Sequence, residues 1–257
     1  MAALLRLRDQ DEEWLAALAR DGRAGVRRLV AQWRRARDRA WRERERTAAL
    51  FALERLRRAE GYALVAGVDE AGVGPLAGPV VAAAVLLPEA LAEGLPGLRD
   101  SKTLPREDRE RLYATLMGGA VRVGIGLADV AEIDRVNILQ ATRRAWRRAV
   151  AQLLPRPDFV LIDGRLTADI DLPQQAIIDG DALCASIAAA SIVAKVTRDR
   201  IMVELDRRFP EFGFASHKGY ATHGHYAAIR RHGFSPVHRR SFLPLRLFQQ
   251  DLFAAQA

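Results

Sequence analysis

Asp69 and Glu70 stand side by side at the end of an apolar run, Tyr62 to Val68, and lead straight into a glycine-rich turn, Gly72-Val-Gly-Pro-Leu-Ala-Gly78. Two more acids have similar settings. Asp163 closes the run Phe159-Val-Leu-Ile162, and Asp181 follows Gly180 after Ala176-Ile-Ile178. Carboxylates are rarely buried unless they are paired or bind a metal. Clustered carboxylates repel one another and take up protons unless a cation sits among them. Hard oxygen ligands select Mg²⁺ or Mn²⁺ over Zn²⁺. Two such ions about 4 Å apart can stabilise both the attacking and the leaving oxygen of a phosphodiester hydrolysis. The N–H groups of a glycine turn beside the acids suit a phosphate or a closely approaching sugar. The chemistry these residues suggest is metal-assisted cleavage of a phosphodiester. A dinucleotide fingerprint is excluded, because the spacing is Gly72-x-Gly74-x-x-x-Gly78 and a β-rich run, Val80 to Leu87, follows instead of a helix.

The acids need a scaffold that brings strand ends together. Strands are expected at about 62–69, 78–87 and 121–128, joined by short connections. A helix is expected at 130–153, with acids near its start and Pro155 and Pro157 beyond its end. A strand at 158–163, a short strand at Gln174–Ile178 and an Ala-rich helix from about Leu183 to Arg208 follow, the last stopped by Pro210. Short helices fill the C-terminus. This is an α/β pattern with a mixed sheet. Parallel neighbouring strands would bring Asp69 and Asp163 to one sheet edge, where open α/β sheets place their sites. Asp181 would also cap the Ala-rich helix. Asp158, Asp169, Asp171 and Asp179 read as turn residues.

Residues 1–60 differ from the rest, with 16 arginines against 10 acids. They read as a helical appendage: a short helix from Asp11, a break at Asp21-Gly22, and a longer helix solvated between Arg34 and Arg46 except at Trp41. Phe51, Leu53 and Leu56 restore an apolar face before Gly61. The whole chain carries a net charge of +8, which favours a polyanionic partner. Only three lysines occur, Lys102, Lys195 and Lys218, in a chain that otherwise uses arginine. A compact ammonium reaching a single phosphate is a role arginine does not fill in the same way. Lys102 with Ser101, and Lys195, are the candidate phosphate contacts. A lone cysteine, Cys184, no 18-residue apolar run and a charged N-terminus point to a cytoplasmic protein without a membrane span.

Asp69-Glu-Ala-Gly-Val-Gly-Pro-Leu-Ala-Gly-Pro-Val80 resembles the opening motif of bacterial ribonuclease HII. The resemblance continues through Asp100-Ser-Lys102, Asn137-Ile-Leu-Gln-Ala-Thr142, Leu161-Ile-Asp-Gly164, Ala189 to Asp199, His217-Lys-Gly-Tyr220 and His238-Arg-Arg-Ser-Phe242. It covers roughly residues 60–245, and residues 1–60 resemble the N-terminal extension of some members. The resemblance implies a mixed five-stranded ribonuclease H-like sheet flanked by helices, with an N-terminal helical appendage over 1–60 and a catalytic domain over 61–257 ending in helices. It implies catalytic and metal-binding roles for Asp69, Glu70, Asp163 and Asp181, two Mn²⁺ or Mg²⁺ ions, and incision on the 5′ side of ribonucleotides. The substrate would be an RNA–DNA hybrid or duplex DNA containing ribonucleotides, the products a 3′-hydroxyl and a 5′-phosphate, and the enzyme a monomer. Gly72, Val73 and Gly74 would approach the sugar, and Tyr220 matches the tyrosine that contacts the sugar at the RNA–DNA junction. One departure stands out: the family usually has Arg where this chain has Val73. That residue leans toward a ribonuclease HIII-like enzyme needing RNA tracts, whereas Pro75-Leu-Ala-Gly78 and the helical N-terminus lean toward ribonuclease HII. A hybrid-binding protein without catalysis is the other alternative.

Overall fold

The computed structural model describes residues 10–88, 90, 91 and 95–242. The expected helices beyond residue 242 lie outside the described residues, as does the segment before Gln10. The chain divides into two compact units between Ala49 and Leu50. The first contains α1 (Gln10–Ala19) and nearly all of α2 (Ala24–Leu50). Leu15 and Val30 are buried, while Trp41 is exposed, as its isolation in a polar stretch suggests.

The second unit is built on one sheet of five strands, β1 (Val65–Ala71), β2 (Val80–Leu86), β3 (Arg122–Ala128), β4 (Phe159–Asp163) and β5 (Gln174–Ile177). Their order is β3-β2-β1-β4-β5. The first three pair antiparallel, and β4 joins β1 in parallel, with Val68 opposite Ile162. β2 is buried at every position, so both sheet faces are covered. Ala83 and Val85 face the long helix α8 (Ala185–Arg208), while Ala82 and Ala84 face α6 (Ile138–Ala151) on the other side. Gly67, in the middle of β1, lets α8 pack close, since a Cβ there would collide with the backbone at Ser186 and Ile187.

Four local features differ from the sequence-based expectation. The connection between β2 and β3 is not short: it contains α4 (Arg106–Met117). Its stretch Arg106-Glu-Asp-Arg-Glu-Arg111 is charged throughout and buries only Leu112 and Leu116, so its apolar stripe is too thin to announce a helix. The expected helix 130–153 is two helices, α5 (Val130–Val136) and α6, broken at Asn137. Asn137 takes φ 69° and caps α6 through the Gln140 N–H at 3.0 Å. The Ala-rich helix begins at Ala185, after a separate single turn, α7 (Gly180–Leu183), and an extended Cys184. Asp181 therefore lies inside α7 and does not cap α8.

That cap comes from elsewhere. α3 (Ala52–Ala59) belongs to the second unit, where Phe51 and Glu54 are fully buried. Glu54 Oε1 accepts from the Ser186 N–H at 2.8 Å, the Ser186 hydroxyl at 2.8 Å and the Cys184 thiol at 3.2 Å. It thus satisfies an orphan donor at the start of α8. At the other end of α8, Met202 and Leu205 pack with Leu76, Phe212, Phe214 and Ile229. These come from the chain after β1, from a 3₁₀ turn at Pro210–Phe212, and from the C-terminal helices α9 (Phe214–His217) and α10 (His223–His232).

Candidate active site

The parallel pairing of β1 with β4 delivers Asp69 and Asp163 to the same end of adjacent strands. Asp181, the second residue of α7, completes a cluster. Asp69, Asp163 and Asp181 each offer a carboxylate oxygen within 4.8 Å of the others. Backbone donors fix two of them: the Glu70 N–H donates to Asp69 Oδ1 at 2.6 Å, and the Gly180 N–H to Asp163 Oδ1 at 2.8 Å. Glu70 stands beside this trio rather than within it. Its Oε2 accepts from the indole N–H of Trp146 on α6 at 2.9 Å.

The electrostatics are those of a site short of positive charge. Burial, with the charges of Glu70 and Asp163, holds the Asp69 carboxyl well above its usual range. Burial lifts Glu70 to about 7, with Asp163 adding to the rise and Trp146 opposing it. Burial, then Asp100 and Asp163, lifts Asp181 to about 6 against the pull of Lys102. Lys102 Nζ lies 3.6 Å from Asp181 Oδ2. Burial works against its charge, but Asp181, Asp100, Asp69 and Asp163 together raise it above the usual lysine value. One lysine does not neutralise four acids. An oxygen-only donor set whose members repel one another fits a hard divalent cation.

Beside the acids opens a cavity of about 460 Å³. All seven residues expected to contact substrate line it: Gly72, Val73, Gly74, Ser101, Lys102, Lys195 and Tyr220. The structure therefore gathers residues from separate parts of the sequence around one space. Gly72 has φ 97°, so the positive φ of the turn falls on a glycine, and Val73, 38 % exposed, faces the cavity. Tyr220 is half-exposed at the rim. Ser101 is buried, its hydroxyl 2.8 Å from that of Ser191 on α8, which in turn hydrogen-bonds Asp69.

Several contributors have residue types and settings that do not by themselves announce a role, although Ser191, Arg198 and Arg239 lie within motifs quoted above. Trp146 sits on the apolar stripe of α6, where an aromatic reads as core. Ser191 hides in an Ala-rich run. Arg109 and Arg198 also line the cavity. Arg198 and Arg239 are both buried and commit their guanidinium groups to backbone carbonyls. Arg198 reaches Pro79 at 3.0 Å, Lys218 at 3.1 Å and Ala77 at 3.2 Å. Arg239 reaches Gly72 at 2.6 Å, Gly78 at 2.8 Å and Val73 at 2.9 Å. Burial, with Arg198 nearby, brings Arg239 down to about 9, so it remains charged at neutral pH. The two arginines set the shape of the glycine turn from behind. The histidines assemble behind Tyr220: His238 Nε2 lies 3.0 Å from His225 Nε2, and His225 Nδ1 lies 2.9 Å from the Tyr220 carbonyl.

Residues 66–244 match the family model described as Ribonuclease HII, and residues 2–57 match that of the Ribonuclease HII N-terminal domain. The chain is 50 % identical over 238 residues to the ribonuclease HII of Desulfitobacterium hafniense, covering 93 % of this chain and 91 % of that one. It is 51 % identical over 245 residues to that of Geobacillus kaustophilus, covering 95 % and 93 %. Among solved structures it resembles the ribonuclease H2 of Pyrococcus horikoshii with a TM-score of 0.62 and 28 % identity, over 74 % of this chain and 98 % of that one. Among the described residues no helix is long and apolar enough to cross a membrane. With its acids at the β1 and β4 ends and these matches over nearly its full length, the chain belongs to the ribonuclease HII family of endonucleolytic hydrolases.

Proposed function

We propose that the chain, acting as a monomer, hydrolyses the phosphodiester on the 5′ side of ribonucleotides in RNA–DNA hybrids or embedded in duplex DNA, leaving a 3′-hydroxyl and a 5′-phosphate. The observation that carries this reading is the convergence of Asp69, Asp163 and Asp181 within 4.8 Å beside a cavity walled by the glycine turn. Asp69, Glu70, Asp163 and Asp181 would hold the metal. Two Mn²⁺ or Mg²⁺ ions bound there supply a site for an activated water and charge stabilisation for the leaving 3′-oxygen.

The chain's own groups do the rest. The Gly180 N–H keeps Asp163 oriented toward Asp69 and Asp181. Ser101 holds Ser191, and Ser191 supports the charge of Asp69. Lys102 and Lys195 bring ammonium groups to the cavity wall, where the phosphate would lie. The N–H groups of the Gly72–Gly74 turn and the Tyr220 ring face the sugar, where the 2′-hydroxyl tells RNA from DNA. Because the turn would read the sugar through its backbone, Val73 in place of Arg removes a charge-assisted phosphate contact and leaves that recognition in place.

The test compares three duplexes in Mg²⁺ and in Mn²⁺: one with a single ribonucleotide, one with an RNA tract, and one all DNA. Nicks 5′ to ribonucleotides in the first two, with an intact third, are expected. Asp163→Asn should lose cleavage by a factor of about 100 or more while keeping its circular dichroism. Cutting of the all-DNA duplex, or near-normal rates in the folded variant, would overturn the reading.

A further inference from the structure

A second basic pocket, of about 530 Å³, lies between α4 and α8, with Arg106, Arg109, Arg200, Arg207 and Lys218 set against Glu110, Asp199 and Glu204 in its wall. Arg109 lines this pocket and the catalytic cavity alike. The acids are already engaged. Glu110 pairs with Arg200 at 2.7 Å, Asp199 with Lys195 at 2.7 Å and Glu204 with Arg207 at 2.8 Å. Among the described residues Arg106 forms no ion pair, and the Lys218 ammonium donates only to the Ala215 carbonyl. Burial lowers the Lys218 ammonium below its usual value, and Lys195 and Arg106 lower it further against the pull of Asp199. These cations stand close enough to repel one another.

Lys218 is also held in an unusual conformation. Its φ is 53°, in the left-handed region that non-glycine residues seldom occupy. Strain of this kind persists where surrounding contacts over-determine it, and it concentrates at ligand clamps. Here the Lys218 carbonyl accepts from Arg198 at 3.1 Å and its N–H donates to the Phe214 carbonyl at 2.9 Å. Two residues on, Tyr220 lines the catalytic cavity. Among the described residues the pocket wall contains no aromatic ring on which a base could stack, so its chemistry suits a phosphate rather than a nucleoside.

We propose that this pocket holds a backbone phosphate of the nucleic-acid strand that passes through the catalytic cavity, with Lys218 and Arg106 as its contacts. The inference rests on the nuclease reading above and adds a second anchoring point to it.

Duplexes carrying one ribonucleotide serve as the probe, with affinity measured by fluorescence anisotropy without divalent metal at several salt concentrations. The variants are Lys218→Asn, because Asn tolerates positive φ, and Arg106→Gln at the exposed start of α4. Each should weaken binding several-fold and lower the log–log salt slope by about 0.9. The duplex is then shortened nucleotide by nucleotide from each end. Wild-type affinity should drop in one step, on one side only, and beyond that length the two variants should bind as wild type does. Unchanged slopes, or a deficit that persists at every length, would overturn the inference. Inorganic phosphate provides the remaining arm. If it binds wild type but not the variants, and no length step exists, the pocket is a free-anion site and the strand assignment falls. A protein that nicks ribonucleotide duplexes yet shows no length step keeps the nuclease reading and loses this one.

Discussion

Glu70, outside the acid trio, is held by a side chain from α6. The Trp146 indole donates to its Oε2 at 2.9 Å, and no sequence pattern marks that residue for the task. As candidates, Asp69, Glu70 and Asp163 are legible because they close apolar runs, an unfavourable place for a charge, and Asp181 because it stands three residues beyond one, before an Ala-rich helix. Trp146 is not, because a buried aromatic on a helix stripe ordinarily serves packing. A hydrogen bond to a charged group contributes about 1.5–3 kcal/mol. Trp146→Phe keeps the bulk and removes the N–H, so cleavage should slow by about tenfold or more while the thermal midpoint moves little. Initial rates at saturating metal, set beside a melting curve, check this. Equal rates in the two proteins would mean that Trp146 only fills space.

At the scale of elements, α8 matters most to the site. It carries Ser191 and Lys195 to the cavity, and its first turn is held by Glu54 on α3. That link is invisible in the sequence, where Glu54 looks like one more acid on an Arg-rich helix; only the folded arrangement joins it to Ser186, 132 residues away. Glu54→Ala leaves buried donors unsatisfied and should destabilise the unit by about 3 kcal/mol, measured by urea unfolding. A loss under about 0.5 kcal/mol would show that water replaces the carboxylate at little cost. The break at Asn137 and the helix α4 are hard to read for related reasons: one depends on a single residue's backbone, the other on a stripe of only two buried leucines.

The histidines behind Tyr220 give the C-terminal elements a pH dependence. Ser235 N–H donates to His238 Nδ1 at 3.0 Å, so His238 Nε2–H must donate to His225 Nε2, and His225 Nδ1–H to the Tyr220 carbonyl. The chain of donors is complete only with both rings neutral. Burial lowers His225 to about 4, and burial with His225 nearby lowers His238 to about 4. In the unfolded chain each would titrate near 6.5. The unfolded state therefore gains protons first on acidification. Stability present above pH 6.5 should fall steadily toward pH 4, and unfolding midpoints across that window test it. His225→Gln with His238→Gln should flatten the profile; an unaltered slope would assign the loss to other groups.

For the molecule as a whole, the sequence-based boundary at residue 60 and the compact division after Ala49 lead to different truncations. We propose that the first unit, with 13 arginines against 8 acids, adds phosphate contacts to the substrate duplex. Removing residues 1–49 should leave a folded nuclease whose salt dependence of binding is shallower, by about 0.9 in slope for each phosphate no longer neutralised. Removing residues 1–58 should instead cost much of the stability, because Phe51 and Glu54 leave with it. Equal melting temperatures for the two truncations would contradict this. The α/β architecture is readable from the order of apolar runs, yet the boundary is not, because Phe51 and Leu53 have the same apolar look whichever unit they pack into.

The grip of Arg239 on the Gly72, Val73 and Gly78 carbonyls spans more than 160 residues. A ribosome making this chain has therefore finished every strand of the sheet, and most of the helices, before that guanidinium can emerge and shape the glycine turn. Synthesis runs from the N-terminus at about 5–20 residues per second, so the strands and the α7 turn that carry the acid trio emerge while the turn beside them is still untied. A nascent chain would hold the acid trio without a settled glycine turn beside it. A product cut short before Arg239 would keep every strand and all three acids, yet leave the Gly72, Val73 and Gly78 carbonyls without the guanidinium that ties them together.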